Sequence, residues 1–336
     1  MAIPVLSFFN TIGGVGKTSL VYHLAWMYAR LGKRILAVDF DPQAKLTSFF
    51  LTEDEIEDLW YSRNQGSTVY QCVKALAGDG GMVEPNPRVI SQDLYFMPGD
   101  VLLSSYEAVF ATEWAAGGAC SLRTLSAFWQ VAQNAGEMVG ADIILTDMGA
   151  NLGAINHSIL VSADYIAIPL GSDIFSLRGL WNLGVTLETW RGTWKKMLAD
   201  RNRGRKKVGA VLALPGGAMH PIGYLCRQPP VRYSDPNPIR DKWVRQMPGV
   251  YRETVLGEEP VGEMSPEDDP HCLGVIKHHR SLVPMGRECR KPMFNLTPAD
   301  GAIGIHAAAV QEATRNFRSL AGRIARRMDI GMERGN

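Results

Sequence analysis

The residues best suited to chemistry lie in one glycine-rich run near the N-terminus, Gly13-Gly14-Val15-Gly16-Lys17-Thr18-Ser19. An apolar run precedes it, and an amphipathic segment over 20–31 follows it, closed by Gly32, which predicts strand, turn and helix. Glycines let backbone N–H groups converge on phosphate oxygens, and the helix N-terminus adds partial positive charge. In such a loop Lys17 would contact the β- and γ-phosphates of a nucleotide, and the Thr18 hydroxyl would bind Mg²⁺.

Aspartates stand at the ends of two further apolar runs. The predicted strand 34–40 contains Asp39, with Asp41 two residues later, and the predicted strand 141–147 ends in Asp147. Because ligands in open α/β sheets bind beyond the carboxyl ends of the strands, we expect these carboxylates beside the glycine-rich loop. Asp147 would hold Mg²⁺, usually through water. A solvated strand end or a helix cap stays open as an alternative for Asp39 and Asp41.

The glycine-rich run combined with Asp39-Phe40-Asp41-Pro42-Gln43 resembles the loop and first switch of the ParA/MinD family of P-loop ATPases. The segments 94–104 and 163–180 are also similar to that family, and the order of elements from 3 to 324 is closest to ParA-type partition ATPases. The pattern of elements predicts an α/β fold, a doubly wound, mostly parallel sheet with helices on both faces. We expect one domain over 1–336.

The resemblance implies a Mg²⁺-dependent ATPase that binds ATP and ADP as a molecular switch. Members of this type hydrolyse ATP slowly under stimulation by a protein partner, form homodimers when ATP-bound, and bind DNA non-specifically to partition DNA or position cargo. By position, Asp41 matches the family residue that orients the attacking water, and Asp39 matches the one that supports the metal shell. The resemblance also implies that Thr18 and Asp147 hold Mg²⁺, and that Lys17 and Mg²⁺ neutralise the charge of the phosphate in the transition state. The implied location is the cytoplasm, on the nucleoid.

Two departures from the family motivate an alternative. Ile12 stands where the family has its signature lysine, which contacts the nucleotide across the dimer interface, and an apolar side chain cannot supply that charge. The segment 148–153 lacks the two prolines of the second switch, so we expect a more flexible switch. Arg178 and Lys277 are candidates for the missing charge. The alternative is a nucleotide-sensing scaffold that barely hydrolyses ATP and acts through a protein adaptor.

The C-terminal third is less family-like. A strand is predicted over 207–214, and its end holds Ala213 or Leu214 where the family often has an adenine-reading asparagine, so no base contact is assigned. The proline-rich stretch 215–270 is predicted to be an ordered but irregular excursion, because its aromatic residues argue against disorder. A partner-binding role and a passive insertion both stay open for it.

An amphipathic helix is predicted over about 305–328. Its polar side carries the arginines Arg315, Arg318, Arg323 and Arg326. These side chains either form a solvated face or contact phosphate backbones, in a way that is independent of sequence and sensitive to salt. Insertion into a membrane surface is not favoured, because the apolar face is small and rich in alanine.

Composition excludes several other classes. The net charge of +1 gives no overall attraction to nucleic acid, so such binding must rest on local patches. The five cysteines form no CxxC pair, and Cys120 lacks a companion for the cluster of a nitrogenase iron-protein type ATPase. His278 and His279 are adjacent and have no evident third ligand, which argues against a metal site. No apolar run is long enough to span a membrane, so we expect no membrane partner.

Overall fold

The computed structural model describes residues 2–61, 65–78, 81–118, 121–203, 213–227, 238–276 and 281–331. Within these ranges the strands form one eight-stranded sheet, in the order β3-β4-β2-β5-β1-β6-β7-β8. The strands are β1 Val5–Phe8, β2 Ile35–Asp39, β3 Arg88–Ser91, β4 Leu94–Met97, β5 Ile143–Asp147, β6 Tyr165–Leu170, β7 His220–Arg227 and β8 Cys272–Ile276. Only the β3–β4 pair is antiparallel among them, so the predicted mostly parallel sheet is confirmed.

Helices cover both faces of the sheet. Among the described residues they are α1 Lys17–Arg30, α2 Lys45–Phe50, α3 Glu53–Tyr61, α4 Val69–Ala77, α5 Glu107–Ala116, α6 Leu122–Leu125, α7 Ala127–Val139, α8 Ala154–Val161, α9 Ile174–Arg203, α10 Pro238–Tyr251, α11 Leu282–Glu288 and α12 Ile305–Arg327. A π-helical turn, Arg252–Leu256, follows α10, and short 3₁₀ turns occupy Val101–Tyr106, Met293–Asn295 and Pro298–Asp300.

The core is split by the sheet into two apolar layers. One layer contains Phe110, Phe128 and Trp194, contributed by α5, α7 and α9. The other contains Tyr28 of α1 and Phe317 of α12. Every residue of β1, β2 and β5 is buried, as expected for central parallel strands that are covered on both faces. These central strands therefore fix the positions of the loops at their carboxyl ends.

The stretch 215–270, predicted to be irregular, contains regular elements. Most of the strand predicted over 207–214 lies outside the described residues. The strand that pairs with β6 is β7, inside the stretch predicted to be irregular. That stretch also contains α10 and the π-helical turn. The sequence of β7 includes Pro221 and Gly223, which favour a turn locally. In the structure the segment is nevertheless a strand, paired with β6 and β8. Glycine is required at position 223, because a Cβ there would clash with the carbonyl oxygen of His271.

Two further points concern the helices. The helical segment 122–139 is divided at Ser126 into α6 and α7. The C-terminal helix expected over about 305–328 is present as α12, with Ala313, Phe317 and Ile324 buried on its inner face. None of the helices in the described ranges has both the length and the apolar character that crossing a membrane requires.

Candidate functional site

The carboxyl ends of β1, β2 and β5 open into a cleft of about 1040 Å³. The glycine-rich loop forms one wall of it. Gly14 and Gly16 have φ values of +77° and +96°, in the left-handed region that glycine adopts without strain. A Cβ on Gly13, Gly14 or Gly16 would meet no heavy atom within 4 Å, so the loop encloses open space. Such a cradle suits an anion bound by backbone N–H groups.

Lys17, the first residue of α1, is buried beneath this loop. Its Nζ donates hydrogen bonds to the carbonyl oxygens of Asn10, at 3.1 Å, and Ile12, at 3.2 Å. Burial lowers the pKa of Lys17, and the charges of Asp147 and Asp41 oppose that shift. The ammonium is thus held by neutral carbonyls close to two carboxylates. A phosphate group would compete with the carbonyls for its N–H donors.

Asp147 ends β5 and is fully buried. Neither of its carboxylate oxygens has a hydrogen-bond partner among the described residues. Burial raises the pKa of Asp147 well above its usual range, the charge of Asp39 adds to the rise, and the Thr18 side chain opposes it. An unpaired buried carboxylate is costly, and a bound cation would remove that cost.

The residues around Asp147 fit Mg²⁺. No group of three or more His, Cys, Asp or Glu side chains that could hold a metal is found within the described ranges. Mg²⁺ commonly binds through one or two carboxylates, waters and substrate phosphates, so one free carboxylate beside a phosphate cradle is the expected donor set. Cys72, Cys226, Cys272 and Cys289 are free thiols, and Cys120 lies outside the described residues. The described part of the chain thus offers no cysteine cluster for iron and sulfur.

Asp39 lies opposite Asp147 in the β2–β5 register, but its oxygens are already occupied. Oδ2 accepts hydrogen bonds from the backbone N and Oγ1 of Thr47, at 2.8 and 2.7 Å, and Oδ1 accepts one from the backbone N of Asp41, at 3.2 Å. The Thr47 Oγ1 in turn accepts from Gly99 N, at 2.9 Å. Burial raises the pKa of Asp39 to about 7, against these hydrogen bonds. Asp39 therefore braces the loop that carries Asp41.

Asp41 lines the cleft and faces the second switch segment, 148–153. A Cβ on Gly149 would lie 3.2 Å from Asn156 Nδ2 and 3.6 Å from Asp41 Oδ1, so the backbone of this segment passes close to both side chains. The segment is held by Asn156, whose Nδ2 donates to the carbonyl oxygen and to Oδ1 of Asn151, at 2.8 and 2.9 Å. Side-chain amides hold this loop where the family uses prolines.

Glu107 is a cleft residue that sequence reasoning missed. Its Oε1 and Oε2 accept hydrogen bonds from the first two N–H groups of α8, at Ala154 (2.5 Å) and Ile155 (3.3 Å). A carboxylate at this position also complements the helix dipole. One turn later, His157 of α8 is stacked between Trp114 and Trp190, with centroids 3.5 and 4.0 Å away. The second switch is therefore connected through α8 to α5 and α9.

Arg227, the last residue of β7, is the other missed residue. Its Nη1 donates a 2.6 Å hydrogen bond to the carbonyl oxygen of Gly14. It went unnoticed because β7 itself was not predicted. The cleft also has apolar lining residues, among them Ile276, Val283 and Phe317.

The structure does not bring the arginines of α12 into the cleft. Arg315, Arg318, Arg323 and Arg326 are all exposed. Arg178 is exposed on α9, next to the point where Gly179 packs against Ile12. Lys277, His278 and His279 lie outside the described residues. The loop, Lys17, Asp41 and Asp147 thus form one site, and the arginines form a separate surface.

Comparison with known proteins places this site in a family. A family profile described as an AAA domain matches residues 3–199. The chromosome-partitioning ATPase Soj of Thermus thermophilus is 30% identical over 182 residues, covering 54% of this chain and 60% of Soj. The chromosome partitioning protein ParA of Caulobacter vibrioides is 28% identical over 191 residues, covering 57% of this chain and 64% of that protein. The chain thus spans less than two thirds of the length of either relative.

The fold is shared with solved structures over nearly the whole chain. Protein DIP2308 of Corynebacterium diphtheriae superposes with a TM-score of 0.70 at 20% identity, covering 97% of this chain and 99% of that one. The likeness at this identity concerns the architecture of the sheet and its helices.

Proposed function

The chain belongs to the ParA/MinD family of P-loop ATPases, and on that premise we propose that it is a Mg²⁺-dependent ATPase that binds ATP and ADP as a molecular switch. The observation that carries the proposal is the unpaired, buried Asp147 beside the open glycine cradle. A divalent cation with a nucleotide phosphate would satisfy both features at once.

In this proposal Thr18 and Asp147 hold Mg²⁺, which when bound neutralises charge on the phosphate oxygens. Backbone N–H groups of 13–19 bind the phosphates, and Lys17 exchanges its carbonyl partners for phosphate oxygens. Asp41 orients the attacking water. Asp39 and Thr47 keep the Asp41 backbone in place through the hydrogen bonds described above.

We further propose that the switch serves DNA partition or cargo positioning, in the cytoplasm and on the nucleoid. Two relatives are named as chromosome-partitioning proteins, and the exposed arginines of α12 supply a local positive surface on a chain of net charge +1. The active form would be a homodimer when ATP-bound, with a protein activator or adaptor stimulating hydrolysis. DNA contacts of this kind would involve phosphates and carry no base specificity.

A second candidate function is a scaffold that binds ATP and hydrolyses it very slowly. Ile12 favours it, because the position that carries a charge in the family is apolar here. Turnover of the wild type and of Asp41→Ala separates the two candidates. A large fall in turnover on substitution supports the ATPase, and equal rates support the scaffold.

DNA binding is tested with a non-specific duplex in Mg²⁺ and ATP, in ADP, and without nucleotide, over a salt series. Binding that needs ATP and disappears in Lys17→Ala supports the proposal. The variant Arg318→Glu/Arg326→Glu is compared with Lys195→Glu/Lys196→Glu, which makes the same charge change on exposed residues of α9. Each lost phosphate contact should reduce the slope of log K against log salt by about 0.9. Equal slopes in the two variants would remove α12 from the interface.

A further inference from the structure

The glycine-rich loop has a cation beside it that comes from the far end of the chain. The family places a lysine at position 12, where this chain has Ile12, and in the family that charge reaches the nucleotide of the partner subunit. Arg227 approaches the same loop from β7 of its own chain. We propose that Arg227 is a nucleotide-binding residue, whose guanidinium contacts the terminal phosphates of ATP within one subunit. The inference rests on the proposed nucleotide function.

Both the backbone and the side chain of Arg227 are held in place by neighbouring residues. Its backbone oxygen accepts a hydrogen bond from Ser172 Oγ in the loop after β6, and β8 pairs with it at Ile276. Its Nη1 donates to Gly14 O at 2.6 Å. The side chain therefore spans from the carboxyl end of the sheet to the rim of the phosphate cradle.

Within the described ranges, most of the hydrogen-bonding capacity of the guanidinium is unused. An arginine carries five N–H donors, and one of them is assigned to Gly14. Arg227 forms no salt bridge with any carboxylate of the described residues. It lines the cleft together with Lys17 and the glycines. A planar guanidinium with free donors is well suited to phosphate oxygens, which it can bind in a bidentate manner.

The other cations of the cleft are placed differently. Arg287 lies over the ring of Phe49, with 4.9 Å between the guanidinium carbon and the ring centroid. Lys45 starts α2, on the side of the first switch, and is exposed. Arg227 is the cleft arginine that hydrogen-bonds the phosphate-binding loop within the described residues. Among the described residues it is therefore the side chain best placed to compensate for Ile12 without a second subunit.

The test is a binding series with ATPγS, ADP and adenosine in Mg²⁺, measured by calorimetry at a protein concentration where the wild type is monomeric. The variants are Arg227→Ala, Arg227→Lys and the control Arg123→Ala, which removes an exposed arginine of α6 away from the cleft. Lys17→Ala reports on the proposed function itself. Thermal unfolding of each variant establishes that it is folded.

A lost charge-assisted hydrogen bond should weaken ATPγS binding by about ten- to a hundredfold. We expect that loss in Arg227→Ala, a smaller loss for ADP, unchanged binding of adenosine, and partial recovery in Arg227→Lys. Equal affinities of Arg227→Ala and wild type would overturn the inference, and so would an equal loss for all three ligands, which indicates a change in the cleft shape. If the wild type binds ATPγS no better than Lys17→Ala, the proposed function has failed instead.

Discussion

Asp147→Asn should raise the stability of the nucleotide-free protein and remove the part of its response to nucleotide that requires Mg²⁺. Both carboxylate oxygens of Asp147 are buried without a hydrogen-bond partner among the described residues, so the amide removes a charge and breaks no such bond. Removal of the charge from a buried group without partners is worth about 1–3 kcal/mol. For 336 residues the unfolding entropy is about 0.7 kcal/mol/K, so we expect Tm to rise by about 1.5–4 °C.

The difference in stability between Asp147→Asn and the wild type should depend on pH. The pKa of Asp147 is higher in the folded than in the unfolded protein. Stability from this group is therefore fully present below the unfolded pKa of about 4 and is lost as pH rises through the folded pKa. The advantage of Asp147→Asn over the wild type should be small at pH 5 and grow towards pH 8.5.

Mg²⁺ and nucleotide should offset the stability advantage of Asp147→Asn over the wild type. A ligand at one hundred times its Kd adds about 2.7 kcal/mol to the wild type, or about 4 °C by the same conversion. The variant should lose the part of this gain that requires the metal. Differential scanning fluorimetry with ATPγS, with and without Mg²⁺, measures both effects.

Asp269→Asn is the matched control. Asp269 is also buried, but its carboxylate accepts hydrogen bonds from Tyr224, at 2.8 Å, and Arg252, at 3.1 Å. Its substitution should lower Tm under every condition, because it weakens a satisfied network. If Asp147→Asn is less stable than the wild type at pH 8.5 without nucleotide, the carboxylate is not strained by burial and the reasoning is refuted.

Three further results are expected. Burial lowers the pKa of His157 to about 3, so the side chain takes up a proton on unfolding at pH 5. The wild type should therefore be about 2 kcal/mol less stable at pH 5 than at pH 8, and His157→Phe should lose this pH dependence in urea titrations. If His157→Phe keeps the same pH dependence, another group causes it. Thr47→Val should lower stability by about 1–3 kcal/mol in urea and slow ATP turnover. Thr186→Val, whose hydroxyl donates to the Asn182 carbonyl oxygen of its own helix, should do neither. Gly16→Ala should lower the free energy of unfolding by about 1–2 kcal/mol, because the φ of Gly16 is +96°. Gly13→Ala should leave Tm unchanged and still weaken ATP binding, since its Cβ would enter the cradle. Normal ATP binding by Gly13→Ala would contradict that placement of the phosphates.

The parts of the site that could be predicted are local in sequence. The strand, the glycines, Lys17 and the following helix are contiguous, and Asp147 ends an unbroken apolar strand. The supporting contacts are not local. Gly99 and Thr47 are 52 residues apart, and Arg227 and Gly14 are 213 residues apart. No spacing in the sequence indicates such pairs, because the sheet order brings them together.

The failure at β7 has a different cause. Pro221 and Gly223 weaken a strand in isolation, and the hydrogen bonds to β6 and β8 override that local preference. The missing strand also concealed Arg227 at its end. Because β7 was not predicted, Arg227 was not identified as a cleft residue.

Helix α12 has a mechanical consequence of its own. It is about 34 Å long, it lines the cleft through Phe317, and the next residue, Arg318, is exposed. Tyr28 of α1 clamps it by a 3.0 Å hydrogen bond to the Ala321 carbonyl oxygen. Because α12 is one continuous helix, a tilt of α12 that is caused by nucleotide binding would also move its exposed arginines. Substitutions such as Phe317→Leu should therefore alter nucleotide affinity and the salt dependence of DNA binding together, and a change in only one of them would show that α12 bends.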